Sequence, residues 1–284
     1  MPGIEAFFDK STSTVTYLVW DHSTKRAVVI DAVADFNPAT GRLGHASVDT
    51  VLARAAALGL TVEWALETHA HADHLSAADY IRRKTGAKIG IGARITEVQA
   101  RFRQLFDAPE AETGPGAFDR LFEDGDVLRL GETEINVMHT PGHTPACVTY
   151  VVDDAAFVGD TLFMPDYGTA RADFPGGDAR TLYHSIMRIL DLPPDFRIFV
   201  GHDYLPPGRS LPKWEASVLE QRAHNIHVND GIGEAEFVSL RTARDKTLAA
   251  PRLILPSLQV NIRAGALPQP EDSGNVHLRI PVNL

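Results

Sequence analysis

Between residues 68 and 74 the chain reads Thr68-His69-Ala70-His71-Ala72-Asp73-His74, directly after the apolar run Val62 to Leu66. A fold that carries this stretch must bring four metal-capable side chains together at the end of a strand, and few folds do so. His69 and His71 are two apart, so on a segment leaving a strand in extended form both imidazoles are expected to point the same way. Asp73 and His74 follow where the chain must turn. Imidazoles with a carboxylate suit zinc, iron or manganese and suit calcium poorly, because calcium takes an oxygen shell. The competing expectation is a polar turn in which Asp73 caps the next helix and the histidines are solvated.

Three later sites repeat one local pattern, an apolar segment ending in a glycine and then a ligand-type residue: Pro141-Gly142-His143, Val158-Gly159-Asp160 and Val200-Gly201-His202. Strand ends are rigid platforms, and glycine lets the backbone approach an ion without a Cβ clash. A single His or Asp at a strand end is commonly a turn residue. The series His-x-His-x-Asp-His, His, Asp, His is specific, and it makes His69, His71, Asp73, His74, His143, Asp160 and His202 the candidate metal ligands.

Periodicity and punctuation give the organisation around these sites. A hairpin is expected from Thr14 to Trp20 and Arg26 to Ile30, with Asp31 as its end. Asn37 to Gly41 reads as loop, and Ser47 as the cap of a helix whose apolar face is Val48, Val51, Leu52, Ala55 and Leu58. Further helices are expected from Ser76 to Lys84, Arg94 to Phe106, Ala179 to Leu190, Trp214 to Val228 and Glu234 to Leu248. Strands are expected at Val62 to Glu67, Lys88 to Ile91, from Val127 to Gly131, and at Glu134 to Met138, Val148 to Val152, Ala156 to Val158 and Arg197 to Val200. This order suggests stacked sheets with helices outside, an α+β class. Residues 1–250 form the expected catalytic domain, and 251–284 an irregular tail packed on it through Leu253, Ile254, Leu255, Leu258, Val260 and Ile262.

The formal charge of −10 argues against nucleic-acid or anionic-membrane partners. One cysteine, Cys147, permits no internal disulfide and fits a reducing compartment. It is expected to be buried and inert. With no signal-like N-terminus and no apolar run of about 18 residues, the expected location is the cytoplasm.

On the ligand series the chain resembles the metallo-β-lactamase superfamily, which implies a four-layer αβ/βα sandwich with a metal site at one edge of two sheets. The resemblance spans Thr14 to Tyr204. The stretches Asp160-Thr161-Leu162-Phe163, Gly168 to Gly177, Thr181 to Ser185, His202-Asp203-Tyr204 and Asn261-Ile262-Arg263 are similar to the persulfide dioxygenase branch, including its bacterial β-lactamase-hydrolase-like members. That branch binds one iron(II) and oxidises glutathione persulfide with O2 to sulfite and glutathione. The resemblance implies His69, His143 and Asp160 as iron ligands. It also implies Arg171 as a substrate-facing arginine and Tyr204 as a tyrosine near the iron, with Arg263 as a tail residue near the site. Each has a plainer expectation: Arg171 paired with Asp173 at the surface, and Tyr204 packed in the core. Asp203, Tyr183 and His184 are expected to be structural.

The chain departs from its relatives where cysteine often follows the two arginines, having Ala172 and Ala264, so neither thiol can act here. The intact His71, Asp73, His74 and His202 leave a second expectation open, a dizinc glyoxalase II-like thioester hydrolase with two Zn(II) ions. In the iron reading these four shape the pocket. A third expectation is a non-catalytic, metal-stapled binding protein. The expected partners are a small thiol persulfide and O2, and the paired C-terminal helices offer a surface for a homodimer.

Overall fold

The computed structural model describes residues 1–282. In chain order its strands are β1 (Gly3–Asp9), β2 (Thr14–Trp20), β3 (Arg26–Ile30), β4 (Val33–Asn37), β5 (Arg42–Gly44), β6 (Thr61–Leu66), β7 (Leu75–Ser76), β8 (Lys88–Gly92), β9 (Arg120–Phe122), β10 (Val127–Leu130), β11 (Thr133–His139), β12 (Val148–Val152), β13 (Ala155–Gly159), β14 (Arg197–Val200) and β15 (Glu215–Ser217). The helices are α1 (Ala46–Ala57), α2 (Ala78–Thr85), α3 (Ile95–Phe106), α4 (Glu110–Thr113), α5 (Ala179–Leu190), α6 (Val218–His224), α7 (Glu234–Asp245) and α8 (Ile254–Asn261).

Two six-stranded sheets result, in the orders β1-β2-β3-β6-β8-β9 and β10-β11-β12-β13-β14-β15. Alternation along the strands builds the layers. In β2, Val15, Tyr17 and Val19 join Val148, Tyr150, Val152, Phe157 and Phe199 of the second sheet in one buried cluster between the sheets. Leu18 points the other way, into a cluster with Val48 and Val51 of α1, Ile81 of α2, Phe102 of α3 and Leu258 of α8. Val151 and Val158 on the far side of the second sheet meet Leu182, Ile186 and Ile189 of α5, Val218 of α6 and Phe237 of α7. Helices, sheet, sheet and helices therefore form four layers, as the element order suggested and the family resemblance implied. Each fully buried aliphatic or aromatic side chain at these positions contributes roughly 1.5–3 kcal/mol.

Several local expectations need correction. The helix expected from Trp214 is a strand, β15, followed by a shorter helix that begins at Val218. Ser217 starts it there because its hydroxyl accepts from the Glu220 amide while the Glu220 carboxylate accepts from Ser217. Ser47 does not cap α1; its hydroxyl donates to Asp35 Oδ1 at 2.5 Å and the helix starts at Ala46. Asn37 to Gly41 forms the turn of a small hairpin, β4 with β5. The segment Leu75–Ser76 is spent on a strand against β4, so α2 begins at Ala78. The tail is not irregular throughout, since α8 forms with Pro256 in its first turn, where a backbone N–H has no intrahelical partner to lose. Among the described residues no helix is long and apolar enough to cross a membrane.

Candidate metal centre

The histidine stretch does not continue the strand. β6 ends at Leu66, and Glu67 to His74 is a buried loop, so strand alternation does not orient its side chains. What orients them is a set of buried polar anchors. Asp31, in a left-handed conformation with φ 53°, accepts from both the backbone N–H and the hydroxyl of Thr68, each at 2.8 Å. The Thr68 carbonyl accepts from Val148 N at 2.9 Å, which ties the loop to the second sheet. Tyr150 donates to the Glu67 carbonyl at 2.9 Å. From the other side Asn261 of α8 donates to the carbonyls of His71 and His74, each at 2.8 Å, and accepts from Ser76 N.

The remaining residues arrive from the second sheet: Asp160 and His202 follow the ends of β13 and β14, as their pattern suggested, whereas His143 sits in the loop between β11 and β12. Glycines make room for them. A Cβ on Gly201 would sit 2.9 Å from Asp160 Oδ1, and Gly159 (φ +51°) is packed so that a Cβ would collide with Thr68. Besides the trio Asp31, Glu67 and His71, and with His74 in no group among the described residues, the ligand-type atoms gather in two neighbouring groups, each with its atoms within 4.8 Å of one another: His69, His143 and Asp160, and His71, Asp73 and His202. Asp160 lies between them, with Oδ2 at 3.9 Å from His69 Nε2 and 3.7 Å from His143 Nε2, and Oδ1 at 3.3 Å from His202 Nε2. Asp73 Oδ2 is 3.3 Å from His202 Nε2.

Hydrogen bonds select the ring atoms that face inward. Four histidines place Nδ1 against an oxygen: His69 on Thr68 Oγ1 (3.0 Å), His74 on the Leu75 carbonyl (3.1 Å), His143 on the Arg171 carbonyl (2.7 Å) and His202 on the Ser13 carbonyl (3.2 Å). Each carbonyl requires an Nδ1–H donor, and Thr68 Oγ1, which donates to Asp31, accepts from His69; Nε2 is then the lone-pair atom in all four. His69 Nε2, His74 Nε2, His202 Nε2, Asp73 Oδ2 and Asp160 Oδ1 are buried without a hydrogen-bond partner. Buried acceptors are costly when unpaired, so this convergence fits a bound cation. His71 differs: its Nε2 is 3.0 Å from Asp31 Oδ1 and 3.3 Å from Glu67 Oε2, leaving Nδ1 toward the second group.

The electrostatics follow from burial. Desolvation, reinforced by the surrounding histidines, holds His69 well below the ordinary imidazole range. Burial and the neighbouring His71 lower His74 to about 4, against the pull of Asp73. Both are therefore neutral and able to donate a lone pair. Burial opposes charge on His71 as well, but the Asp31 and Glu67 carboxylates outweigh it and raise His71 well above 6.5.

A cavity of about 380 Å³ opens over this centre, lined by Asp73, His143, Asp160, Arg171, Tyr204 and Arg244 among others. Tyr204 stacks on His202 (ring centroids 5.3 Å, interplanar angle 11°) and on the edge of Phe163, and remains 39% exposed toward the cavity rather than sealed in the core. Arg171 reaches the same wall, but its guanidinium is engaged: Nε and Nη2 donate to Asp173 at 2.5 and 2.8 Å, and Nη1 to the Ala249 carbonyl. Arg263 is elsewhere. It donates to Glu112 and to the Gln259 carbonyl and lines a separate cavity with Phe106 and Arg279, because the chain leaving α8 turns it toward α3 and α4. Cys147 is buried, and desolvation raises its thiol to about 12. Asp203 holds Arg209 in a bidentate pair and serves the loop.

Sequence reasoning passed over Asp31, Glu67, Arg241 and Asp245. Asp31 read as a turn residue; its signal was a carboxylate closing an apolar strand beside the motif strand. Behind Thr169 of the cavity lining lies a group that titrates. His227 accepts from Thr169 N through Nδ1 at 3.0 Å, and burial lowers it from 6.5 to about 4. Between those values the unfolded chain binds a proton that the folded chain refuses, so this contribution is complete above pH 6.5 and is lost as pH falls toward 4. His227→Gln is expected to flatten the fall in Tm over that window relative to the parent protein, measured by calorimetry.

Residues 11–202 match the Metallo-beta-lactamase superfamily. The chain is 53% identical over 291 residues to a probable metallo-hydrolase of Burkholderia pseudomallei, covering 99% of each. It is 33% identical to the mitochondrial persulfide dioxygenase ETHE1 of Homo sapiens, over 92% of this chain and 88% of that one. The crystal structure of ETHE1 from Myxococcus xanthus superposes with a TM-score of 0.75 at 30% identity, covering 93% of this chain and all of that one. With its four layers and its strand-end His and Asp residues, the chain belongs to the metallo-β-lactamase superfamily and, within it, to the family of the persulfide dioxygenase ETHE1.

Proposed function

We propose that the protein is an iron(II)-dependent dioxygenase that oxidises glutathione persulfide, or a similar low-molecular-weight persulfide, with O2 to sulfite and the free thiol. The observation that carries this reading is the two-histidine, one-carboxylate group of His69, His143 and Asp160, with His143 and Asp160 facing a cavity whose wall also bears Arg171, Arg244 and Arg252. When bound, iron(II) on such a face supplies open positions at which a sulfur anion and dioxygen can react side by side. The chain's own groups do the rest. His143 is held by the Arg171 carbonyl with Nε2 inward. Among the described residues Arg244 and Arg252 have no ion pair, and in a chain of net charge −10 they supply local cations for an anionic carrier. Tyr204 offers a hydroxyl on the same cavity lining as Asp73 and Asp160; partial desolvation and those carboxylates raise its pKa well above the usual phenol value, so it remains a donor.

Metal analysis of protein produced without added metal, together with oxygen uptake on glutathione persulfide, tests this. One iron per chain with oxygen consumption is expected. Two zinc ions per chain with thioester hydrolysis and no oxygen uptake would overturn it in favour of the dizinc thioesterase, which the second group of His71, Asp73 and His202 and the name of the Burkholderia relative favour. Arg171→Ala removes a wall cation and frees Asp173; a charge-assisted contact of this kind is worth about 1.5–3 kcal/mol, so KM for the persulfide should rise roughly 10–100-fold with kcat less affected. Unchanged kcat and KM would mean that Arg171 serves only its pair with Asp173.

A further inference from the structure

The carbonyl that orients His143 belongs to a peptide unit gripped at its other end. The Arg171 carbonyl and the Ala172 N–H are the two ends of one peptide bond. The carbonyl accepts from His143 Nδ1 at 2.7 Å, and the N–H donates to Asp245 Oδ2 at 3.0 Å. A peptide unit is planar, with its C=O and N–H pointing in opposite directions, so fixing one end aims the other. Asp245 is in turn fixed by Arg241, one helical turn earlier on α7, through Nε at 2.9 Å and Nη2 at 2.7 Å. Arg241 Nη1 also donates to the Thr169 carbonyl at 3.0 Å, steadying the approach to the same peptide. Both side chains are buried, at 1% and 6% exposure.

We propose that Arg241 and Asp245 are positioning residues for the metal centre, acting through the Arg171–Ala172 peptide to set the orientation and tautomer of His143. The negative charge of Asp245 at the N–H end polarises the peptide and strengthens its carbonyl as an acceptor, and that carbonyl holds the proton on Nδ1 of His143. Nε2 is thereby presented as the lone pair. The arrangement runs carboxylate, amide, imidazole, so that the backbone carbonyl met directly by His143 is itself backed by a carboxylate at the far end of its peptide. It rests on His143 being a ligand, as in the function proposed above, and does not depend on the dioxygenase chemistry.

The test measures Co(II) affinity of the full chain by anaerobic chelator competition, with the visible spectrum of the bound ion as a report of its geometry. Asp245→Ala is expected to weaken Co(II) binding 10–100-fold, the loss typical when a ligand's supporting partner is removed, and to alter the spectrum. Asp245→Asn keeps an acceptor for the Ala172 N–H and should lose less. Phe237→Leu, on the same helix and fully buried, loosens α7 without touching the ion pair; it should lower Tm and leave Co(II) affinity within about twofold of the parent, well short of the 10–100-fold effect expected of a positioning partner. Should Asp245→Ala not fold because Arg241 is left unpaired, the double replacement of Arg241→Met with Asp245→Leu strands no charge and carries the same expectation. A folded Asp245 variant or double variant with parental affinity and spectrum overturns the proposal, as does a loss matched by Phe237→Leu. Oxygen uptake is no part of the readout, so failure here is distinct from failure of the dioxygenase reading.

Discussion

His143→Ala should be isolated without its working metal and should show oxygen uptake reduced by more than about 100-fold, beyond the 10–100-fold usual for loss of a ligand's supporting partner. The expectation comes from geometry. His143 contributes one of three atoms in its group, and its Nε2 is only 3.7 Å from Asp160 Oδ2, so the carboxylate is left with His69 alone on that side. The cavity wall should survive, because the Arg171–Ala172 peptide remains held by Asp245. Metal content per chain and oxygen-electrode rates on the same preparation check both halves. Parental metal content with parental rates would remove His143 from the centre.

The second large effect is on stability. Asp31→Ala deletes a carboxylate that is 2% exposed, accepts two hydrogen bonds from Thr68 and stands 3.0 Å from His71 Nε2. Removing one partner of a buried charged pair typically costs about 3–5 kcal/mol. Urea unfolding of metal-free protein should therefore show a loss of that order, with Tm lower by roughly 5–8 °C. Asp31→Asn keeps an acceptor for Thr68 and should lose less. An Asp31→Ala variant as stable as the parent would mean that the loop is set by Tyr150 and Asn261 alone.

What could be read from residues alone divides along a physical line. α5 and β14 coincide with their expected bounds because each combines a clean apolar period with strong punctuation, Asp178 capping the helix and Gly201 closing the strand. The ligand set was legible because glycine before His or Asp at a strand end is a local pattern. The partners of those ligands were not legible, because they are distant in sequence: Asp31 meets Thr68 across 37 residues, Asn261 meets His71 across 190, and Asp245 meets Ala172 across 73. Arg263 shows the same limit from the other side. Its neighbour Asn261 does reach the histidine loop, but two positions later the side chain faces α4, and no periodic signal distinguishes the two. Trp214 to Val228 misled because a short edge strand and a short helix share an apolar content that one longer helix would also have.

Asn261 also imposes an order on synthesis. The loop that it clamps is made 190 residues earlier, and at about 5–20 residues per second that separation is roughly 10–40 s of translation. During that interval the carbonyls of His71 and His74 have no partner from α8, and the β14 end that carries His202 does not yet exist for most of it. The full set of backbone partners of the histidine loop is thus completed only once α8 has emerged, 190 residues after the carbonyl of His71 that it clamps.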